Sequence, residues 1–163
     1  METHHFHSEL LKHKVRVLVV GCGGNGSAIA AGLPYLHQAL LAYGHPEGIH
    51  VTLLDPDVIS PTNCVRQPFS RSEVGLYKSI VLANRLNLFW GLDWQAVPQH
   101  LATGHDLHND LDLIIGCVDS RAARAPATDH RDLNGPPKQV GMNGVHSVLP
   151  ALHKPMERIA ALH

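Results

Sequence analysis

The stretch VRVLVVGCGGNGSAIAAG, Val15 to Gly32, constrains the fold more than any other part of the chain. A largely β-branched run (Val15, Val17, Leu18, Val19, Val20) breaks at a glycine loop and resumes as helix-forming sequence. That order predicts the strand, turn and helix of a nucleotide-binding βα unit. Gly21 permits the tight turn, Gly23 and Gly24 let the backbone approach a phosphate, and Gly26 lets helix and strand pack closely. The helix N-terminus adds unpaired N–H groups and a positive dipole end for an anion. Taken alone, the G-x-G-x-x-G spacing also suits a Gly-rich turn with no ligand, so the rest of the chain has to decide.

At 163 residues the chain suits one domain with a real core. Thirteen basic and fourteen acidic residues give a formal charge of −1, which provides no electrostatic case for nucleic acid or an anionic membrane. The fourteen histidines would turn the surface cationic only on protonation, near about pH 6. No apolar run reaches the ~20 residues that span a bilayer, and no basic-apolar-small leader opens the chain. Cys22, Cys64 and Cys117 form no C-x-x-C pair, and an odd count argues against a disulfide framework, so a reducing cytoplasm is expected. Residues 1–14 are polar and His-rich, with SELLKHK expected to form a helical turn or two. His4, His5 and His7 read as a solvated terminus rather than a metal site, since nothing nearby supplies a carboxylate or thiolate.

After the glycine loop, Ile29, Leu33, Leu36, Leu40 and Leu41 recur at helical spacing, and Pro34 is expected to kink or divide that helix. HVTLLDPD predicts a second strand ending at Asp55. A carboxylate there is where a dinucleotide fold contacts ribose hydroxyls, although Asp55 lies further from the glycines than the usual ~20 residues. An ordinary turn aspartate before Pro56 is the bland alternative. Val74 to Trp90 predicts a second amphipathic helix with Ile80, Val81, Ala83, Leu86 and Phe89 towards a core. WQAV suits a third strand and LDLIIGCVDS a fourth, buried and parallel. The expected fold is α/β: a Rossmann-like open, mostly parallel sheet with helices on both faces and its site at the strand C-terminal ends. Beyond Arg124 the sequence is turn-rich, with Pro126, Pro136 and Pro137, and shows no period that places another strand. MERIAALH suits a short terminal helix.

Between the second strand and the second helix lies DPDVISPTNCVRQPFSRSEVGLYK, which gathers Asp55, Asp57, Asn63, Arg66, Gln67 and Lys78 in one connection. A dehydrogenase has no need for an Arg and a Lys beside its phosphate loop; an enzyme handling a triphosphate does. Arg66 can fork onto two phosphate oxygens and Lys78 can place a point charge on another. Asp119, at the end of the fourth strand, is placed to hold Mg²⁺ with the phosphates. Each residue alone reads as a solvated surface charge; their order at strand ends argues for a site.

These motifs, GCGGNGS, LLDPD, NCVRQ, VGLYK and VDSRAAR, resemble the ThiF/MoeB/HesA family, bacterial relatives of ubiquitin-activating enzymes. The phrasing GHPEGIHVTLLDPD looks most like ThiF-type proteins of plasmid-associated PRTRC systems. The resemblance covers Val15 to Arg124 and divides the chain into an N-terminal segment 1–14, a nucleotide-binding domain 15–124 and a divergent tail 125–163. It implies that ATP and Mg²⁺ activate the C-terminal carboxylate of a small β-grasp, ubiquitin-like protein as an acyl-adenylate. By the same resemblance Asp55 binds ribose, Asn63, Arg66, Gln67 and Lys78 surround the phosphates, Asp119 holds the metal, and Arg124 orders the loop around it.

The chain departs from the family pattern in three ways. Residues 1–14 hold no Arg to reach a partner subunit's phosphates. No C-x-x-C pairs or cysteine beyond Cys117 provide a structural zinc or a downstream thiol, so no zinc is expected. The tail lacks the family's further sheet and dimer surface, which predicts a truncated or altered C-terminal half, an exposed apolar patch, and reliance on a partner or a homodimer. The three cysteines suit packing better than nucleophilic roles, with Cys22, beside a helix N-terminus, the one placed for a lowered pKa. Two other readings stay open: a non-catalytic nucleotide-binding module, and an NAD-binding oxidoreductase sharing the glycine loop and Asp55.

Overall fold

The computed structural model describes residues 8–101, 111–118 and 138–141. A 3-10 turn, Ser8–Leu11, precedes β1 (Val15–Val20), α1 (Gly24–Ala42), β2 (Ile49–Leu54), 3-10 turns at Asn63–Val65 and Arg71–Glu73, α2 (Lys78–Trp90), β3 (Gln95–Val97), β4 (Leu113–Gly116) and β5 (Lys138–Gly141). The strands form one sheet in the order β3-β2-β1-β4-β5, with every pairing parallel. β1 is central: Val15 pairs in register with Ile49 and Val20 with Leu54 on one side, and Val17 with Leu113 on the other. Chain leaving β1 turns towards β2, while β4 lies on the opposite flank. The resulting crevice at the C-terminal end of β1 is the topological switch point where such sheets bind ligands.

Alternation along the strands sorts side chains to two faces. Val17, Val19, Ile49, Val51, Leu53 and Ile115 pack with Ala30 and Leu33 of α1 and Leu82, Ala83 and Leu86 of α2. Both described helices therefore cover the same face. Leu18, Val20, Leu54 and Ile114 point the other way and pack against Val97, Leu101, Leu111 and Val118.

Several sequence expectations change. α1 is not divided at Pro34; it runs unbroken from Gly24 to Ala42 with Pro34 buried. Proline removes one helical hydrogen bond, and packing against the sheet outweighs that loss. α2 begins at Lys78 rather than Val74, because Arg71–Glu73 forms its own 3-10 turn. Its buried stripe passes through Ser79, Leu82, Ala83 and Leu86, so Ile80 (36 % exposed) and Phe89 (79 % exposed) lie off the core that they were expected to join. Leu36 and Leu41 of α1 are exposed for the same reason. β5 lies in the tail where the sequence pattern shows no strand, and its parallel pairing with β4 extends the sheet.

Candidate functional site

The segment after β2 leaves the sheet at Asp55 and is stitched back to its starting point by the chain entering α2. Ser79 Oγ donates to the Asp55 carbonyl (3.1 Å), and the Lys78 N–H to the Asp57 carbonyl (3.0 Å). Val58 bridges Tyr77, the Ile59 N–H donates to Leu76 O and the Gly75 N–H to Ile59 O. This pairing brings Lys78 beside two aspartates distant in sequence.

A cavity of about 480 Å³ opens at the end of β1. The glycine loop forms one wall through Gly21, Gly23 and Gly24, and Asp55 and Asp57 form another. Asn63, Arg66, Gln67 and Lys78 come from the connecting segment. Gly26 does not line the cavity; it makes the loop possible. A Cβ on Gly26 would sit 1.7 Å from the Gly21 carbonyl oxygen, and Gly21 itself has φ +94°, in the left-handed region. Asp119 and Arg124 lie outside the described residues, as do His4, His5 and His7.

The chemistry of the walls suits an anion beside a sugar. Gly23 caps α1 without a side-chain hydrogen bond, and the first turn carries no acidic residue. That helix end, with Gly23, Gly24 and Asn25 in the cavity wall, presents backbone amides and a positive dipole end to the cavity. The Asp55 carboxylate, 5 % exposed, accepts the Cys22 N–H at Oδ2 and the Asp57 N–H at Oδ1 (2.8 Å). These two amides fix its orientation, and each oxygen retains a lone pair for a hydroxyl donor. Asn63 Oδ1 accepts both the Ser60 N–H (2.9 Å) and O–H (3.0 Å), which shapes the turn carrying Arg66. The exposed Arg66 guanidinium makes no hydrogen bond or ion pair among the described residues. Lys78 Nζ donates to Asp57 Oδ2 at 2.8 Å. Gln67 Oε1 is buried with no donor among the described residues. Leaving such an acceptor unmatched costs about 1–3 kcal/mol, and groups of this kind concentrate where a ligand or a functional constraint holds them.

Cys22 corrects the expectation of a lowered pKa. Burial pushes its thiol well above the usual value, the Asp55 and Cys117 charges add to the rise, and Lys78 opposes them. Burial also raises Cys117 to about 11. Proximity to a helix N-terminus is outweighed by the loss of water. Sequence reasoning missed Asn25, Cys117 and Val118 in the cavity wall. Asn25 was within reach as the polar residue inside the glycine loop; the positions of Cys117 and Val118 follow from the β1–β4 pairing, which local pattern does not reveal. No group of three His, Cys, Asp or Glu residues that could hold a metal ion occurs among the described residues.

The ThiF family model matches residues 7–130. This chain belongs to the ThiF family. Similar solved structures include E. coli tRNA N6-threonylcarbamoyladenosine dehydratase, TcdA, in complex with ATP. It is 28 % identical, with 65 % of this ThiF chain and 42 % of that chain covered, at a TM-score of 0.49. E. coli MccB is 26 % identical, with 70 % and 31 % covered, at a TM-score of 0.53. This ThiF chain thus spans less than half the length of these structures. None of the curated proteins matches it. No helix among its described residues is long and apolar enough to cross a membrane.

Proposed function

We propose that this ThiF-family chain binds ATP in the crevice beside β1 and transfers its adenylyl group to a carboxylate. The observation that carries this reading is that two cationic side chains, Arg66 and Lys78, line the same cavity as the glycine loop and the buried Asp55. A carboxylate and a triphosphate repel each other, and cations held in place lower that barrier. In the proposed step a substrate carboxylate oxygen bonds to the α-phosphorus. The bond from that phosphorus to the bridging oxygen breaks, and pyrophosphate leaves with the electron pair. Asp55 takes the ribose hydroxyls, the α1 N-terminus and Arg66 take phosphate oxygens, and Lys78 stabilises the leaving pyrophosphate. Asn63 and Gln67 complete the phosphate side. Asp119 would hold Mg²⁺, which would supply neutralisation of phosphate charge.

The substrate we assign is the C-terminal carboxylate of a small ubiquitin-like β-grasp protein, with a homodimer as the working assembly in the cytoplasm. The substrate and the homodimer follow from the family resemblance, as does a PRTRC-type context; the cytoplasm follows from the cysteine pattern. The test is ATP–pyrophosphate exchange with the purified chain, Mg²⁺ and a β-grasp protein ending in a free glycine carboxylate. Exchange that depends on the acceptor supports adenylation. ATP binding without exchange for any acceptor favours a non-catalytic module, and NADH binding without ATP binding favours an oxidoreductase.

A further inference from the structure

Lys78 is the buried cation of the cavity, and its charge is already spoken for. Its side chain is 7 % exposed, whereas its partner Asp57 is 63 % exposed. Asp57 Oδ2 is the one partner of Nζ among the described residues, at 2.8 Å. The pair is also held by its backbone, since the Lys78 N–H donates to the Asp57 carbonyl and the Asp57 N–H to Asp55 Oδ1. A buried ammonium needs a counter-ion, and here an exposed carboxylate supplies it at the edge of a site built for an anion. An ammonium has three donors, so a phosphate oxygen can approach Nζ while Asp57 still holds it. Full engagement with a triphosphate, however, sets two anions in competition for one charge.

We propose that Asp57 is a positioning residue that acts as a placeholder anion. It holds Lys78 in place at the cavity while no polyphosphate is bound, yields Lys78 when one enters, and reclaims it when one leaves. The proposal rests on the nucleotide reading above and adds a mechanism for release. A site whose lysine is pre-paired holds polyphosphate less tightly than its cations allow, so pyrophosphate departs without a separate opening of the site. Asp57 thereby lowers polyphosphate affinity, the reverse of what a direct ligand contact would do.

The experiment measures binding of ATP, inorganic tripolyphosphate and adenosine by calorimetry. The proteins are the parent chain, Asp57→Asn, Asp57→Ser, Lys78→Met and the Asp57→Asn/Lys78→Met double variant. Two Asp57 variants are used so that misfolding of one does not remove the test. Asn and Ser abolish the competing charge, so ATP and tripolyphosphate should bind about threefold to tenfold tighter, the range of a partly exposed ion pair. Adenosine binding should not change, and the gain should vanish in the Lys78→Met background. Loss of a merely structural contact does not tighten binding. Unchanged or weaker polyphosphate affinity in both Asp57 variants overturns the proposal, as does a gain that survives Lys78→Met. If the parent chain binds tripolyphosphate but neither ATP nor adenosine, and Asp57→Asn still tightens it, the nucleotide reading fails and the placeholder stands. If ATP binds equally to parent and variants, the reverse holds.

Discussion

The carboxylate of Asp55 accepts the backbone N–H of Cys22, joining the end of β2 to the glycine loop that follows β1. The residue proposed to bind ribose therefore also holds the loop proposed to bind phosphate. Asp55→Ala should lose both functions at once. Hydrogen bonds to a charged group contribute about 1.5–3 kcal/mol, which corresponds to roughly a tenfold to hundredfold loss of ATP affinity. Calorimetry of the variant checks this, and affinity equal to that of the parent chain would remove Asp55 from the site.

Gly26→Ala should be among the most damaging single-methyl changes in the chain. The new Cβ would sit 1.7 Å from Gly21 O, a backbone atom that cannot swing aside. Overpacking of this kind typically costs about 1–3 kcal/mol and occasionally more, and here the upper end or beyond is expected. Gly24→Ala is the matched control, because nothing lies within 4 Å of its Cβ position. A thermal melt should show a large drop for the first variant and little change or a small gain for the second.

Lys78→Ala should slow pyrophosphate exchange more than it weakens ATP binding, because the charge on the leaving pyrophosphate grows only as the bond breaks. Asp119→Ala should behave similarly if Asp119 holds Mg²⁺ as proposed. Comparable losses in both measurements would place either residue in ground-state recognition instead.

The cysteines should separate by access. Burial and the neighbouring Asp55 raise the Cys22 thiol, and burial raises Cys117 to about 11. Since the thiolate is the nucleophile, neither should react with iodoacetamide in the native protein at about pH 8. Cys64, half-buried and donating to the Ser60 and Ser70 carbonyls, is the position expected to be alkylated first. Peptide mass spectrometry after native labelling shows which site is modified, and early modification of Cys22 would contradict the buried loop.

Glu73 makes the site segment acid-sensitive. Its carboxylate accepts the Ser70 N–H (2.7 Å) and an Arg85 Nη2 donor (2.7 Å), and Arg85 Nη1 also donates to Pro68 O. The Ser70 amide, with Arg85, holds the Glu73 carboxyl below its ordinary value. A depressed folded-state value contributes stability that is complete above the unfolded value, about 4.3, and is lost as pH falls through the folded one. Melts of the parent chain and Glu73→Gln should therefore differ above about pH 5 and converge on acidification. A difference that persists unchanged into acid would mean that packing, not charge, tethers the segment.

The parts of the architecture legible in the sequence are those with local signatures. β1 and β2 follow from β-branched alternation, and the turn after β1 follows from Gly21 and Gly26, whose backbone needs no other residue can meet. The site was legible for a different reason: most of its members lie in one connection, so chain order alone groups them. What failed was orientation. Counting apolar residues at helical spacing does not reveal which face meets the sheet, so it points Ile80 and Phe89 to the core and passes over Leu82, which is buried. The capping-box spacing Ser70-x-x-Glu73 is a readable cue, but it opens the 3-10 turn at Arg71 and says nothing of α2, which starts at Lys78 after Tyr77 with no side-chain cap. β5 had none, because Lys138–Gly141 follows two prolines and gains its extended form from pairing with β4. The Cys22 thiol misled because burial is a property of the folded whole, while helix polarity can be read from the neighbouring residues.

The stitching of residues 55–59 to residues 75–79 has an evolutionary corollary. An excursion with both ends joined belongs to the scaffold only at its base. Changes that spare Asn63, Arg66 and Gln67, which line the cavity, need not disturb the spacing of Asp55 and Lys78. Because the entropic cost of lengthening a closed loop grows only by about 0.6 kcal/mol per doubling, such a segment can gain or lose residues outside Asn63, Arg66 and Gln67 while its base stays put. Variation within a fold of this kind would then collect in the exposed stretches of one tethered loop.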